Sequence, residues 1–308
     1  MAAGRVPVDA DPGLTSRIGL HANDIAQAVS AVPIPSTEHQ EKELQMRIAW
    51  IGLGAMGKPM ALATLRAGHT LAGYARRPEE HDEIRAAGGV VTDDLAQALD
   101  QAQIVCINLY SEAQLREVLI ERGALALIPA GSVLVIHSTV SPDVVRELAV
   151  LRSDIGVIDA GFSGGADEAA IAALVLMVGG CAADVERARP VLAAYGGHIA
   201  HLGPLGAGMT LKIINNLTFA AHMAIAQDVL RLCATNGLAI EKAIDTLTRG
   251  SAGSRAFALL GQSNDPGAML GGIRHYLDKD VAIARVASGH LDLGVLDAAT
   301  QGFGADQE

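Results

Sequence analysis

The segment RIAWIGLGAMGKPMA, residues 47–61, constrains the fold more tightly than any other stretch of the chain. An apolar run of strand length leads into Gly52, Gly54 and Gly57, and a segment with an early Pro59 follows. Proline suits the first helical turn, so the order predicted is strand, tight turn, helix. Each glycine has its own use there. Gly52 permits the sharp turn, Gly54 lets a phosphate approach the backbone, and Gly57 permits close helix packing, while free amides at the helix start face an anion. Leu53, Ala55 and Met56 complete the loop. In this context the glycine spacing reads as a dinucleotide-binding turn rather than a bare flexible loop.

The alternation continues downstream. Short apolar runs recur as TLAGY (residues 70–74), GVVT (89–92), IVCIN (104–108), SVLVIH (132–137) and GVIDA (156–160). Between them lie PEEHDEIRAAG, SEAQLREVLIERG and PDVVRELAVLR, opened by proline or acidic residues. Strands alternating with helices predict a doubly wound α/β domain of Rossmann type over residues 46–205. LVLMVGG and GGHIAHLG, on either side of ADVERARPVLAAYG, read as a hairpin-like pair that completes the sheet. After Gly206 only helical periodicity remains, so residues 206–308 are expected to form an all-α C-terminal domain. Its first helix, from about Ala207 to Asn236, is apolar nearly all round and should be buried on most sides, between domains or against a second copy.

Half of the 308 residues are hydrophobic, enough for a sizeable core, whereas a net charge of -11 and 3% aromatic residues argue against a nucleic-acid surface. A small molecule is the expected partner. No apolar stretch is long enough for a membrane span, since the long helix carries Lys212, Asn215, Asn216, His222 and Asp228. Cys106, Cys181 and Cys233 lack metal-ligand spacing, so a reducing cytoplasm without disulfide or metal is expected. Residues 1–45 contain Pro7, Pro12, Pro33 and Pro35 among scattered acidic residues and match no targeting peptide. They read as a flexible extension with one helical piece over residues 21–32, and Met46 is an alternative first residue.

Three places offer chemistry. The second strand ends Tyr74-Ala75-Arg76-Arg77-Pro78, without the acid that usually holds the ribose hydroxyls of NAD. Guanidinium groups form forked bonds to phosphate, so Arg76 and Arg77 favour NADP(H), with NAD(H) possible. In LGAGMTLKIINN, Lys212 and Asn216 stand four apart and share one helical face, a proton donor beside an amide. Ser163, Gly164 and Gly165 expose a hydroxyl and backbone amides that suit an anion. His137 lacks the surroundings of a catalytic triad and reads as structural, as do His69, His201, His222 and His275. Met56, Met60 and Met209 read as packing residues.

Five blocks stand in order: IGLGAMGKPMA (51–61), HSTVSP (137–142), DAGFSGG (159–165), GAGMTLKIINN (206–216) and LDKDVAIA (277–284). On these the chain resembles the β-hydroxyacid dehydrogenase family, which includes 3-hydroxyisobutyrate dehydrogenases and tartronate semialdehyde reductases. The resemblance implies hydride transfer between NAD(P) and a small 3-hydroxy acid or semialdehyde. Lys212 would be the catalytic acid/base, Asn216 a substrate contact, and Ser163, Gly164 and Gly165 the seat of the substrate carboxylate. Leu109, Tyr110 and Thr139 would line the nicotinamide half of the cofactor, and Lys279 would reach it from the helical domain. Burial, oxidised nicotinamide and Lys279 would lower the proton affinity of Lys212 from its ordinary value of about 10.4. A homodimer or homotetramer is expected.

Two alternatives stay open. Imine reductases resemble this pattern but usually lack the lysine, and a non-catalytic dinucleotide-binding scaffold should have lost Lys212 or Ser163. The chain also departs from the family pattern. Gly161 and Phe162 replace the proline and valine of DAPVSGG, Tyr110 stands where proline is usual, and Ala75 where asparagine is frequent. Ala172 stands where glycine is common, and the end GFGADQE looks short.

Overall fold

A computed structural model describes residues 45–263, 266–289 and 291–303. The expected extension over residues 1–45, its helical piece and the end of GFGADQE therefore lie almost wholly outside the described residues. Residues 45–308 belong to one compact unit. The strands are β1 (Arg47–Ile51), β2 (Thr70–Tyr74), β3 (Val90–Thr92), β4 (Ile104–Ile107), β5 (Val133–Ile136), β6 (Gly156–Ser163), β7 (Leu174–Gly179) and β8 (Gly196–His201). They form one eight-stranded sheet in the order β3-β2-β1-β4-β5-β6-β7-β8. Strands β4 and β5 are buried throughout, as near-continuous Val and Ile runs demand when helices cover both faces.

Helices α1 (Gly57–Arg66), α2 (Asp82–Ala86), α3 (Leu95–Leu99), α4 (Glu112–Arg116), α5 (Ala124–Leu127) and α6 (Pro142–Leu151) connect the first strands. Two expected helices are broken up. PEEHDEIRAAG divides into a 3-10 turn at Pro78–Glu80 and α2, and SEAQLREVLIERG passes from α4 into a π turn at Glu117–Glu121. Beyond β6 come α7 (Ala166–Ala170) and α8 (Ala182–Ala193), and after β8 every described element is a helix. These are α9 (Ala207–Thr235), α10 (Ile240–Arg249), α11 (Arg255–Gln262), α12 (Pro266–Ser288) and α13 (Val295–Thr300).

The hairpin-like reading of β7 and β8 is corrected. They pair in parallel, with α8 as the crossover between them, and the antiparallel step lies one strand earlier, between β6 and β7. Twelve helical residues give the reach that a parallel connection needs, whereas a hairpin takes a short turn. The antiparallel partner also lengthens β6 beyond the expected end at Ala160, because Gly161, Phe162 and Ser163 pair with Met177, Leu176 and Val175.

Helix α9 packs on β6, β7, α12 and α13. Met209, Ile213, Leu217, Ala220, Met223 and Ala226 form its buried side. Leu211, Ile214, Ile225 and Leu232 remain exposed, so burial on most sides is not reached within one chain. Their spacing places them in one narrow stripe. Among the described residues no helix is long and apolar enough to cross a membrane.

Candidate active site

The glycine turn after β1 lies at the C-terminal edge of the sheet, where the strand order reverses between β1 and β4. Crevices at such switch points receive ligands. Gly52 has φ +94°, and a Cβ there would fall 2.2 Å from the Asn108 carbonyl oxygen that follows β4. Only glycine fits. A Cβ on Gly57 would meet the Gly52 oxygen at 1.9 Å, whereas Gly54 has nothing within 4 Å. No side chain caps the start of α1. A turn closed by packing at two glycines, open at the third and uncapped at the helix fits a dinucleotide pyrophosphate. Leu53 is buried, and Ala55 and Met56 lie nearer solvent in the same loop.

Leu109 and Tyr110 follow β4 and Thr139 follows β5, so all three stand along this edge. The Leu109 amide donates to Ser138 Oγ at 2.7 Å and the Tyr110 amide to Gln114 Oε1 at 3.1 Å, fixing the loop. Arg76 and Arg77 are exposed just past β2. Arg77 pairs with Glu80 at 2.6 Å, while Arg76 has no ion pair or hydrogen bond among the described residues.

Lys212 and Asn216 meet as their spacing predicts: Lys212 Nζ donates to Asn216 Oδ1 at 2.9 Å. Asn215 Nδ2 donates to the same oxygen at 3.0 Å. Asn216 is buried, and its Nδ2 donates to Asp280 Oδ2. Lys279, also on α12, donates from Nζ to Asp280 Oδ1 at 2.6 Å and stands 5.6 Å from the Tyr110 ring centroid. The helical region thus reaches the loop after β4 through Lys279. Withdrawal from solvent pushes the Lys212 amine down to about 8, with Lys279 acting in the same direction and Asp280 against both.

Ser163 ends β6, and its hydroxyl has no hydrogen bond to a described residue. The Gly165 amide is already engaged, donating to Glu168 Oε2 at 3.0 Å, and Glu168 Oε1 accepts from Arg255 at 2.7 Å. Two acids missed by the sequence reading organise the site. Asp280 orients Asn216, and Asp159 accepts from the Gly206 amide at 2.7 Å and the Met209 amide at 2.6 Å, anchoring the start of α9. Burial pushes the Asp159 carboxyl up, the two amides and Arg146 pulling the other way. The available signal was an acid inside an otherwise apolar block, since a buried carboxylate needs partners.

His137 is structural, as expected. It is buried, its Nδ1–H donates to the Ala160 oxygen at 2.7 Å, and its Nε2 accepts from the Tyr195 hydroxyl at 3.0 Å. Burial pushes its pKa down to about 4, so it is neutral. His69 accepts at Nδ1 from the Met46 amide, His201 contacts the Gly180 oxygen, and His222 is exposed. The His275 side chain lies outside the described residues. Met60 and Met209 are fully buried, and Met56 packs beside the core. Cys106 is buried, Cys233 only partly so. No group of three or more His, Cys, Asp or Glu able to hold a metal occurs among the described residues.

Fold and turn together define a dinucleotide-binding protein. Residues 47–203 match the NAD binding domain of 6-phosphogluconate dehydrogenase, and residues 206–303 match the NAD-binding model of NADP-dependent 3-hydroxyisobutyrate dehydrogenase. The chain belongs to the β-hydroxyacid dehydrogenase family of NAD(P)-dependent oxidoreductases. It is 31% identical to 2-(hydroxymethyl)glutarate dehydrogenase of Eubacterium barkeri over 270 residues, 85% of this chain and 89% of that one. It is 34% identical to the NAD-dependent L-serine dehydrogenase of Pseudomonas aeruginosa over 213 residues, 68% of this chain and 72% of that one. Among solved structures, Mycobacterium tuberculosis 3-hydroxyisobutyrate dehydrogenase with L-serine is 27% identical, with a TM-score of 0.72 over 83% of this chain and 92% of that one.

Proposed function

We propose that the protein moves hydride between NADP(H) and a small 3-hydroxy acid or its semialdehyde, with Lys212 as general acid/base. One observation carries this reading: an amine drawn in from solvent, held 2.9 Å from Asn216 Oδ1, with its proton affinity lowered to about 8. An acid/base works best when its pKa lies near the operating pH. Bound nicotinamide supplies the hydride donor or acceptor. In oxidation the neutral Lys212 amine takes the proton of the substrate hydroxyl, and in reduction its ammonium protonates the developing alkoxide. Asn216, fixed by Asp280, orients the substrate oxygen. The Ser163 hydroxyl and the Gly164 amide receive the substrate carboxylate, Gly165 contributing less because Glu168 holds its amide.

Leu53, Ala55 and Met56 join the three glycines around the pyrophosphate, and Leu109, Tyr110, Thr139 and Lys279 lie toward the nicotinamide. The preference for NADP(H) over NAD(H) rests on Arg76, which is free to take a 2′-phosphate, with Arg77 as second donor once it leaves Glu80. An imine reductase is the weaker reading because Lys212 is present, and a scaffold is weaker because Ser163 is also retained. We also assign residues 46–205 to cofactor binding and 206–308 to the helical domain, in a cytoplasmic homo-oligomer. The test is a panel of short hydroxy acids, including 3-hydroxyisobutyrate, L-serine and 2-(hydroxymethyl)glutarate, assayed with NADP+ and NAD+ by absorbance of reduced cofactor. Turnover of at least one acid, faster with NADP+, is expected. No turnover of any would overturn the substrate class, and faster reaction with NAD+ the cofactor preference.

A further inference from the structure

Gly161 and Phe162, side by side on β6, form the seat of Lys212. A Cβ at position 161 would lie 2.6 Å from Lys212 Cβ and 2.9 Å from Cγ, so the lysine stem rests directly on the strand backbone. One residue on, the Phe162 ring lies beside the ammonium, with Nζ 5.5 Å from the ring centroid. That is within the roughly 6 Å over which an aromatic face attracts a cation. The ring is backed by an aromatic stack. His137 meets it edge-on at 6.3 Å between centroids, stacks on Trp50 at 6.1 Å and meets Tyr195 at 5.6 Å. His137 is neutral, so the stack adds no positive charge behind the ring. The charged groups acting on Lys212 are Asp280 and Lys279 of α12.

We propose that Phe162 is a positioning residue for Lys212: its ring face holds the ammonium beside Asn216, and Gly161 provides the space that lets the lysine reach it. The asymmetry of the aromatic quadrupole gives this contact its sign. The electron-rich face favours the ammonium over the neutral amine, opposing the effect of burial. Phe162 thereby sets how readily Lys212 gives up its proton. The effect on catalysis rests on the reading of Lys212 as acid/base, whereas the effect on its titration does not.

The test follows the Lys212 side-chain 13C shift against pH in the 13C-lysine-labelled full chain. Lysines are few (Lys42, Lys58, Lys212, Lys242 and Lys279), and the Lys212 signal is assigned by its loss in Lys212→Met. Phe162→Leu keeps the apolar bulk and removes the π face, as does Phe162→Met should the leucine variant fail to fold. In either variant the midpoint should fall by about half a pH unit or more, and in Phe162→Tyr it should return to the wild-type position. A leucine or methionine variant titrating with wild type, or a tyrosine variant titrating with leucine, overturns the proposal. Retained turnover in Lys212→Met would instead remove the acid/base role and leave the titration result standing.

Discussion

Ala172 has φ +54° without being glycine. The left-handed region crowds a Cβ and costs an ordinary residue roughly 1–2 kcal/mol, part of which glycine gives back through its greater freedom in the unfolded chain. Ala172→Gly should therefore stabilise the fold by about 0.5–1 kcal/mol, a rise of about 1–3 °C in thermal unfolding. A fall in melting temperature would show that the surrounding turn relieves the strain. Glycine is usual at this position in the family pattern, and the positive dihedral angle that favours it leaves no mark in the local sequence. Lys212 and Asn216 were legible because helical spacing alone places them together. Asp280 was not, because its contact with Asn216 spans 64 residues and local pattern carries no such information.

At the scale of elements, the contact between β6 and α9 places the candidate acid/base. Asp159 in the middle of β6 satisfies two amides at the first turn of α9, and five residues after its first residue that helix carries Lys212. Removing the carboxylate leaves both amides without that acceptor in a buried place, at a cost of about 2–4 kcal/mol. Asp159→Ala should accordingly lower stability by that amount and reduce turnover with it, while Asp159→Asn, which keeps one acceptor oxygen, should lie between. Denaturant unfolding of the two variants checks this, and an alanine variant as stable as wild type would contradict the anchoring role. The strands from β1 to β6 were readable from their apolar runs and punctuation. The direction of β7 and β8 was not, since two strands around a helix read alike in either orientation and only the pairing register decides.

For the whole molecule, the exposed stripe of Leu211, Ile214, Ile225 and Leu232 on α9 is what makes a second copy the expected cover for this helix. Sedimentation of the full chain at micromolar concentration should give a dimer or tetramer, and Ile225→Glu should shift it toward monomer. A monomeric wild type would remove the assembly from the account. Fold and family were accessible from the sequence because its motifs sit at element boundaries; the seating of Lys212 on Gly161 and Phe162 was not, because it arises from packing between β6 and α9.

Lys212 is the proposed proton carrier of the reaction. The decisive measurement compares wild type with Lys212→Met on whichever hydroxy acid the wild type oxidises, together with cofactor binding followed by NADPH fluorescence. Wild-type oxidation should rise with pH to a plateau above about 8, where the amine is neutral, and reduction should decline across the same interval because it needs the ammonium. Lys212→Met should bind NADPH as before and lose about 100-fold or more in turnover. Turnover within a few-fold of wild type, with the same pH dependence, would contradict the account.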